Sequence, residues 1–214
     1  MHGAYTGGVA DRGAHRPSRG IDLGPRAVLV PIKAFHEAKG RLDRALSATE
    51  RADLARAMAA RVLEAALPLP VAVVCDDNDV ADWARQRGAL VVWEPGRGLN
   101  GAVEAGVDHL RAAGVVQVTV SHADLPLASG LPAVGDAHGI TLVPDRFQNG
   151  TNVIALPTDA GFRFSYGPGS YARHRVEAER LGLPWRVLDL PDLAWDIDEP
   201  SDVVPVATRP VTAP

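Results

Sequence analysis

Three aspartates stand where their carboxylates could hold a divalent cation. Asp124 follows an apolar, β-branched segment (residues 118–120), and Pro126 ends any strand there because proline cannot donate to a sheet ladder. Ligands of open α/β sheets bind at the carboxyl ends of strands. Asp196 and Asp198 are two residues apart, so in an extended chain both carboxylates face the same side. Because magnesium prefers carboxylate oxygens together with substrate phosphates, these residues predict a magnesium site. The alternatives are a turn cap at Asp124 and, at the other two residues, surface acidity or turn formation.

A basic loop follows the first strand-like segment, residues 27–31. It carries three cations within nine residues, Lys33, Lys39 and Arg41. A lysine ammonium is a mobile point charge that suits phosphate oxygens. The loop therefore predicts a phosphate-binding surface, with an ordinary solvated loop as the alternative.

A glycine-rich turn, residues 167–169, opens a predicted helix. The free N–H groups and the dipole of a helix start favour an anion, and Ser170 is a natural N-cap. Arg173 adds positive charge within the first turn. Of the segments considered, this is the strongest predicted site for a phosphate or a carboxylate, although a plain capped helix would have the same composition.

A second turn, residues 148–152, brings small hydrogen-bonding groups to the start of a strand. Gly150 allows a close backbone approach, and Thr151 offers a hydroxyl and an N–H. An ordinary Asn-Gly hairpin turn is the alternative.

Other catalytic motifs are weak or missing in the sequence. There is no Walker A loop and no Gly-x-Ser-x-Gly, and the one Gly-x-Gly-x-x-Gly match, residues 96–101, does not follow the first strand as a dinucleotide site requires. His174 could act as a general base, but no neighbour marks it, so phosphate hydrogen bonding or packing is preferred. His122 and His109 lack metal-ligand spacing.

Composition narrows the class of protein. A chain of 214 residues that is 46% hydrophobic fits one domain with a substantial core. A net charge of −4 argues against nucleic acid as a partner. The single cysteine, Cys75, excludes an intramolecular disulfide and a thiolate zinc cluster. With no apolar stretch near 20 residues and no signal peptide, we expect a cytoplasmic protein that does not span a membrane.

Strand-like and helical segments alternate along the chain. The predicted strands are residues 27–31, 71–74, 90–93, 118–121, 140–143, 152–156 and 185–190. The predicted helices end near residues 67, 87, 113, 138 and 181, and the first begins at a capping box, residues 47–50. This alternation predicts a single α/β domain, residues 26–207, with a mixed, mostly parallel sheet and helices on both faces. Residues 1–25 and 208–214 are expected to be a disordered and a flexible tail.

Taken together, these motifs resemble those of a known family, the guanylyltransferases of deazaflavin (F-420) coenzyme biosynthesis. The family acts on 2-phospho-L-lactate in archaea and on phosphoenolpyruvate in actinobacteria. The matching segments are residues 31–33 with 38–42, 98–100, 123–126, 150–152, 167–174 and 195–200. Each is short, but together they follow the family order over residues 28–203. The resemblance implies the nucleotide-diphospho-sugar transferase fold, which is GT-A-like and Rossmann-like.

The resemblance also implies roles for individual residues. Thr151, Gly167 and Ser170, with Arg173, would hold the phosphate and carboxylate of a three-carbon acceptor. Lys33 and Lys39 would lie against the triphosphate of the nucleotide, and Asn100 would lie near its base or ribose. Asp124, Asp196 and Asp198 would bind Mg²⁺. Asp124, Lys33 and Lys39 are the expected catalytic residues. The sequence departs from the family at residues 148–149, which bears on acceptor preference, and in the long basic segment before Ala27.

The expected activity is a nucleotidyltransferase reaction that condenses GTP with phosphoenolpyruvate and releases pyrophosphate. The Gly- and Arg-rich composition is typical of the actinobacterial branch and favours phosphoenolpyruvate. The alternatives are 2-phospho-L-lactate or 3-phospho-D-glycerate as acceptor, a sugar-1-phosphate nucleotidyltransferase or glycosyltransferase on the same fold, and a nucleotide-binding module without activity. The expected partners are GTP and a small phosphorylated acid, with a downstream transferase of the same pathway as a further possibility.

Overall fold

A seven-stranded sheet forms the centre of the molecule. The computed structural model describes residues 23–202, and the predicted tails lie outside this range except for residues 23–25. The strands are β1 (Arg26–Pro31), β2 (Val71–Cys75), β3 (Leu90–Trp93), β4 (Gln117–Ser121), β5 (Ile140–Pro144), β6 (Thr151–Pro157) and β7 (Trp185–Val187). The helices are α1 (Ala48–Ala65), α2 (Asn78–Gln86), α3 (Gly98–Ala112), α4 (Leu131–Val134), α5 (Ser170–Leu181) and α6 (Pro191–Ala194).

The sheet is mixed and mostly parallel, as predicted. Its order is β3-β2-β1-β4-β6-β5-β7. Strand β6 is antiparallel to both of its neighbours, whereas the other neighbouring strands pair in parallel. The start of β6 therefore lies at the same edge as the carboxyl ends of the other strands. This edge carries the loops that hold the predicted site.

Helices cover both faces of the sheet. Alternate residues of β1 point to opposite sides: Val28 and Val30 pack with α1, α2 and α4, and Ala27 and Leu29 pack with α3 and α5. A Cβ atom on Gly106 of α3 would lie 2.7 Å from a methyl carbon of Leu29, so glycine lets this helix approach β1 closely. These two apolar layers cover the faces of the sheet, and the edge at the carboxyl ends of the strands is left to the loops.

Several element boundaries differ from the sequence prediction. The capping box at Ser47 and Glu50 is confirmed, with both reciprocal hydrogen bonds present. The predicted cap Asp79 is wrong: Asp77 caps α2 by accepting from the N–H of Val80. Strand β7 ends at Val187 rather than at residue 190, although the N–H of Leu188 still donates to the carbonyl of Leu142 on β5.

The chain is already packed before β1. Leu23 is buried, and the carbonyl of Pro25 accepts hydrogen bonds from the N–H groups of Val116 and Gln117. In the described part of the chain, every helix is too short or too polar to cross a membrane.

Candidate active site

A cavity of about 360 Å³ opens at the carboxyl edge between β1 and β4. Its lining combines the basic loop after β1 with the segment after β4, and it includes Lys33, Lys39, Arg41, Asp124 and Asp198. Two 3-10 turns, Phe35–Glu37 and Gly40–Leu42, shape the basic loop. The topology thus brings together the cations and two of the acids that the sequence singled out.

Lys39 lies between two of the predicted metal-binding aspartates. Its ammonium donates to Oδ2 of Asp124 at 2.7 Å and to Oδ1 of Asp198 at 3.2 Å. Burial lowers the pKa of Lys39, but the two carboxylates together outweigh burial and raise it above its usual value. Burial likewise raises the pKa of Asp124, while Lys39 and His122 hold it below its usual range. Both groups are therefore charged near neutral pH.

The second oxygen of Asp124 accepts no hydrogen bond from the described residues, although Nδ1 of His122 lies 3.9 Å away. Oδ1 is buried and without a hydrogen bond. An unpaired buried acceptor is costly, so this atom is suited to bind a cation or a donor from a ligand. The carbonyl of Asp124 accepts from the N–H of Ile197 at 3.4 Å, which brings the acidic segment after α6 against the end of β4.

Asp196 lies in the same electrostatic environment. Burial, and then the neighbouring carboxylates of Asp124 and Asp198, raise its pKa above the usual value. A cation beside these groups would relieve that repulsion. However, no group of three or more acidic, histidine or cysteine side chains lies close enough to hold a metal within residues 23–202. A metal here would need ligands from substrate and water, as magnesium usually does.

Arg146, which the sequence analysis did not single out, anchors the acidic segment. Its guanidinium donates to the carbonyl of Asp196 at 2.9 Å, pairs with the carboxylate of Asp202, and stacks between the rings of Phe147 and Trp195. No local pattern marks this residue, because its partners lie about fifty positions away.

Asp202 was missed as well, and it acts locally. Its Oδ2 accepts from the N–H groups of Asp198 and Glu199 at 2.9 and 2.8 Å, so it fixes the backbone that carries the predicted metal ligands.

Lys33 lines both the main cavity and a smaller cleft of about 60 Å³ beside it. It has no ion-pair partner among the described residues. The smaller cleft lies over the ends of β1, β2 and β3, and Asp76, Glu94 and Leu99 line it. Glu94 pairs with Arg97 at 2.6 Å. Lys33 thus lies at the junction of two clefts, and carboxylates line both of them.

The predicted acceptor residues Thr151 and Ser170 are joined to each other. The N–H of Thr151 donates to Oγ of Ser170 at 3.1 Å, although the residues are 19 positions apart. Both are 1% exposed and neither is among the residues that line the main cavity. Thr151 begins β6, the antiparallel neighbour of β4, and the N–H of His122, just after β4, donates to the carbonyl of Asn152.

The glycine-rich turn before α5 is arranged differently from the prediction. Gly169, at φ 75°, is the N-cap, and Ser170 is the first helical residue. The predicted N-cap role of Ser170 is therefore wrong, because its hydroxyl accepts from Thr151 instead of from the helix. Gly167 is exposed at φ 114°. Arg173 donates to the carbonyls of Pro168 and Ser165, each at 2.7 Å, and so holds the turn in shape.

The turn before β6 is shaped by Asp145. Its carboxylate accepts from the N–H groups of Phe147, Asn149 and Gly150 at 3.0, 2.9 and 2.6 Å. A Cβ atom on Gly150 would lie 2.7 Å from Oδ2 of Asp145, which explains the glycine. The loop is thus built around a side chain, rather than being the ordinary Asn-Gly hairpin turn kept as the alternative.

Asn100 ties α3 to the aromatic loop before α5. Its Oδ1 accepts from the N–H of Tyr166 at 2.7 Å. The expected contact of Asn100 with a base or ribose stays a prediction, and its amide N–H₂ is the group that would make it.

His174 was interpreted as a phosphate ligand or a packing residue, and it is a fully buried hydrogen-bonding residue. Nε2 accepts from the N–H of Ser165 at 3.0 Å, and Nδ1 is 3.0 Å from Oγ1 of Thr151. Burial, and then the charge of Arg173, lower its pKa to about 4. His122, treated as incidental, lies beside Asp124 with its ring 4.9 Å from that of Tyr166.

Comparisons with known proteins agree with this architecture. A family model described as "Guanylyl transferase CofC like" matches residues 26–208. A phosphoenolpyruvate guanylyltransferase from Sphaerobacter thermophilus is 35% identical over 188 residues, which cover 84% of this chain and 91% of that protein. A protein of the same name from Mycolicibacterium smegmatis is 34% identical and covers 95% of this chain and 91% of its own length.

Solved structures show the same fold at low sequence identity. A protein from Desulfovibrio desulfuricans G20, classed with the nucleotide-diphospho-sugar transferases, superposes with a TM-score of 0.66 at 16% identity, covering 84% of each chain. A nucleotidyl transferase from Methanothermobacter superposes with a TM-score of 0.59 at 16% identity, covering 85% of this chain and 95% of that one. The predicted nucleotide-diphospho-sugar transferase fold is confirmed.

Proposed function

The chain belongs to the family of CofC-like guanylyl transferases, and from that premise we propose that it joins GTP to phosphoenolpyruvate with release of pyrophosphate. The observation that carries the proposal is the meeting of two cations, Lys33 and Lys39, with the carboxylates of Asp124 and Asp198 around one cavity. Phosphoryl transfer needs positioning and charge neutralisation rather than a protein nucleophile.

The chemical step is an in-line displacement at the α-phosphorus of GTP. A phosphate oxygen of the acceptor forms the new P–O bond, the bond between the α-phosphorus and its bridging oxygen breaks, and pyrophosphate leaves with the electron pair. No general base is required, since a phosphate monoester is already ionised near neutral pH. Lys33 and Lys39 would neutralise charge on the triphosphate as it develops.

Magnesium is the metal that these residues fit. The buried, unpartnered Oδ1 of Asp124 and the mutually repelling carboxylates of Asp196 and Asp198 supply hard oxygen donors, and substrate phosphates and water would complete the shell. When bound, the ion would polarise the α-phosphate and orient the leaving pyrophosphate. The ammonium of Lys39 donates to the other oxygen of Asp124, and it would turn toward the phosphates when GTP binds.

The nucleotide base is proposed to enter the smaller cleft beside Lys33. Guanine presents an N–H and an NH₂ group on one edge, and a carboxylate can accept both hydrogens. Asp76 and Glu94 line the cleft and offer such carboxylates, while Leu99 offers an apolar contact for the ring. Adenine presents an acceptor in place of the N–H, so the same carboxylates would disfavour ATP.

The acceptor is proposed to bind at Thr151, Gly167 and Ser170, on the other side of Asp124. Thr151 and Ser170 are buried, so access of a phosphorylated acid to their hydroxyls requires a local movement. The proposed place of this movement is the exposed turn at Gly167, whose carbonyl accepts from the N–H of Ser170. Arg173 holds that turn by its carbonyls and is proposed to act on the acceptor through it.

We further propose a cytoplasmic setting in the biosynthesis of the deazaflavin coenzyme, with the product passed to a transferase. The product carries a phosphoanhydride, which is an activated linkage, and this supports consumption by a group-transfer enzyme. The net charge of −4 supports small-molecule rather than nucleic-acid partners.

The test is a product assay with a panel of acceptors and nucleotides. The protein is incubated with Mg²⁺ and GTP, ATP or CTP, together with phosphoenolpyruvate, 2-phospho-L-lactate, 3-phospho-D-glycerate or a sugar 1-phosphate. We expect pyrophosphate and a mass equal to the acceptor plus a guanylyl group, only with GTP and most efficiently with phosphoenolpyruvate. Product from sugar phosphates alone would identify a sugar nucleotidyltransferase, and GTP binding without pyrophosphate would identify a regulatory module.

A further inference from the structure

His174 is buried but polar, and both of its ring nitrogens are engaged. The side chain lies in the second turn of α5, between the rings of Phe162 and Tyr166 at centroid distances of 5.6 and 5.0 Å. Nε2 is 3.0 Å from the backbone nitrogen of Ser165, and Nδ1 is 3.0 Å from the hydroxyl oxygen of Thr151. Burying a polar ring costs free energy, so the two hydrogen bonds call for an explanation.

The bond with Ser165 determines which tautomer is present. A backbone N–H can only donate, so Nε2 must accept and carries no hydrogen. The neutral ring then has its hydrogen on Nδ1, which donates to Oγ1 of Thr151. The pKa of about 4 keeps the ring neutral near pH 7, and this agrees with the geometry.

This tautomer leaves the hydroxyl hydrogen of Thr151 unused. Since Oγ1 accepts from His174, its own hydrogen must point elsewhere, and no residue within 23–202 accepts a hydrogen bond from it. The hydroxyl of Ser170 is in the same position, because its oxygen accepts from the N–H of Thr151. Two adjacent buried hydroxyls therefore each have a hydrogen to donate, an arrangement that suits a multiply charged oxyanion.

We propose that His174 is a positioning residue that fixes the Thr151 hydroxyl as a hydrogen-bond donor to the anionic group of the acceptor. The inference rests on the proposed function for the identity of the acceptor. It assigns His174 a role through Thr151, without contact with the substrate. The bond to Ser165 would also couple this role to the turn that must shift when the acceptor enters.

Two replacements of His174 separate the two hydrogen bonds. In H174N the amide N–H₂ can take the place of Nδ1 and still donate to Thr151, but the bond with Ser165 is lost. In H174Q the amide oxygen can take the place of Nε2 and accept from Ser165, but the donor to Thr151 is lost. We expect H174Q to raise the acceptor KM about tenfold or more, as for a lost hydrogen bond to a charged group, with the GTP KM unchanged. The acceptor KM of H174N is expected to stay within about threefold of the wild-type value.

A double-mutant comparison shows whether the effect passes through Thr151. T151V removes the hydroxyl with little change in shape, and H174Q added to T151V is expected to raise the acceptor KM no further, because coupled residues are not additive. Equal effects of H174N and H174Q, or additive effects of H174Q and T151V, would overturn the inference. Circular dichroism and thermal unfolding establish that each variant is folded.

A spectroscopic measurement tests the tautomer without any assay of activity. Long-range nitrogen-15 correlation spectra report which ring nitrogen is protonated, and the His174 signals are those missing from H174N. A hydrogen on Nε2 in the wild type would overturn the inference.

Failure of the proposed function is recognised separately. If the wild type releases no pyrophosphate with any acceptor, the same variants are compared for inorganic phosphate binding by calorimetry. The inference then requires that H174Q lose affinity and H174N keep it, and a wild type that binds no phosphate would overturn it.

Discussion

The ammonium of Lys39 lies 2.7 Å from Oδ2 of Asp124, although 85 residues separate them in the chain. The lysine is at φ 57°, a left-handed conformation that is uncommon for residues other than glycine. In the absence of ligands, the positive charge that Asp124 requires is thus supplied by the protein itself. This contact helps to keep the buried carboxylate of Asp124 charged, and it links the predicted phosphate-binding loop to the proposed metal site.

Replacement of Asp124 by asparagine is expected to abolish turnover while the fold is kept. The change preserves size but removes the charge that would hold the metal, which should cost several kcal/mol of barrier, or about a thousandfold or more in rate. Pyrophosphate release is the measurement. D108N, at an exposed residue that pairs with Arg111 on α3, is the matched control and should behave as the wild type. Near-normal turnover by D124N would refute the metal role.

Replacement of Lys39 by methionine is expected to separate metal binding from catalysis. Without nucleotide, the ammonium of Lys39 already neutralises Asp124 and repels a divalent ion at the other carboxylate oxygen. K39M should therefore bind Mn²⁺ more tightly without nucleotide, by about tenfold, or about 1.4 kcal/mol. Turnover should fall because the triphosphate loses a cation. Electron paramagnetic resonance of free Mn²⁺ measures the first effect.

Lys33 provides the control for that experiment. It lines the same cavity without pairing with Asp124 or Asp198. K33M should leave Mn²⁺ affinity unchanged and raise the GTP KM. Weaker Mn²⁺ binding by K39M than by the wild type would count against competition for the carboxylate.

The edge of the sheet that carries the site could be predicted because it depends on local patterns. Apolar β-branched segments alternate with helices, and this periodicity placed Asp124 and Lys33 after two different strands at the same edge of the sheet. The antiparallel direction of β6 was not specified, since strand direction depends on pairing partners rather than on the strand itself. That direction is what brings Thr151 to the same edge as Asp124.

Helix caps and long-range anchors were predicted less well, for physical reasons. Whether Asp77 or Asp79 caps α2, or Gly169 or Ser170 starts α5, depends on one residue's backbone angles. Arg146 was missed because it has partners on a segment about fifty residues away, and no sequence spacing encodes such contacts.

Replacement of Arg146 by methionine is expected to lower both stability and turnover. The change keeps an apolar stem between Phe147 and Trp195 but leaves the Asp202 carboxylate, 8% exposed, without its cation. We expect the free energy of unfolding to fall by about 2–4 kcal/mol, somewhat less than for a fully buried ion pair, because Arg146 is partly exposed. Urea unfolding measures the loss.

The matched control for R146M is R175M. Arg175 lies over the rings of Tyr171 and Trp185 but pairs with no carboxylate in the described part of the chain. Removing the Arg175 guanidinium should lower the free energy of unfolding by about 1 kcal/mol or less. Equal unfolding free energies for R146M and the wild type would show that Arg146 does not anchor the acidic segment.

Stability is expected to fall below pH 6.5 because His174 is buried in its neutral form. Its pKa is lowered from 6.5 to about 4 by burial and by Arg173 and His122, with Glu177 acting in the opposite direction. Between these two pH values the unfolded chain binds a proton that the folded chain does not, so the stabilisation is complete above pH 6.5 and is lost as the pH falls toward 4. At about 1.4 kcal/mol per pH unit, the loss between pH 7.5 and pH 5 is about 2 kcal/mol.

The H174Q variant isolates this contribution from the six other histidines. Glutamine does not titrate, so the difference in unfolding free energy between wild type and H174Q should shrink by about 2 kcal/mol when urea unfolding is repeated at pH 5 instead of pH 7.5. Protonation of the ring puts a hydrogen on Nε2, and Nε2 can then no longer accept from the N–H of Ser165. Protonation of His174 in the folded protein therefore breaks this hydrogen bond. A constant difference across this range would show that His174 titrates normally in the folded protein, and its tautomer could no longer be inferred from the Ser165 contact.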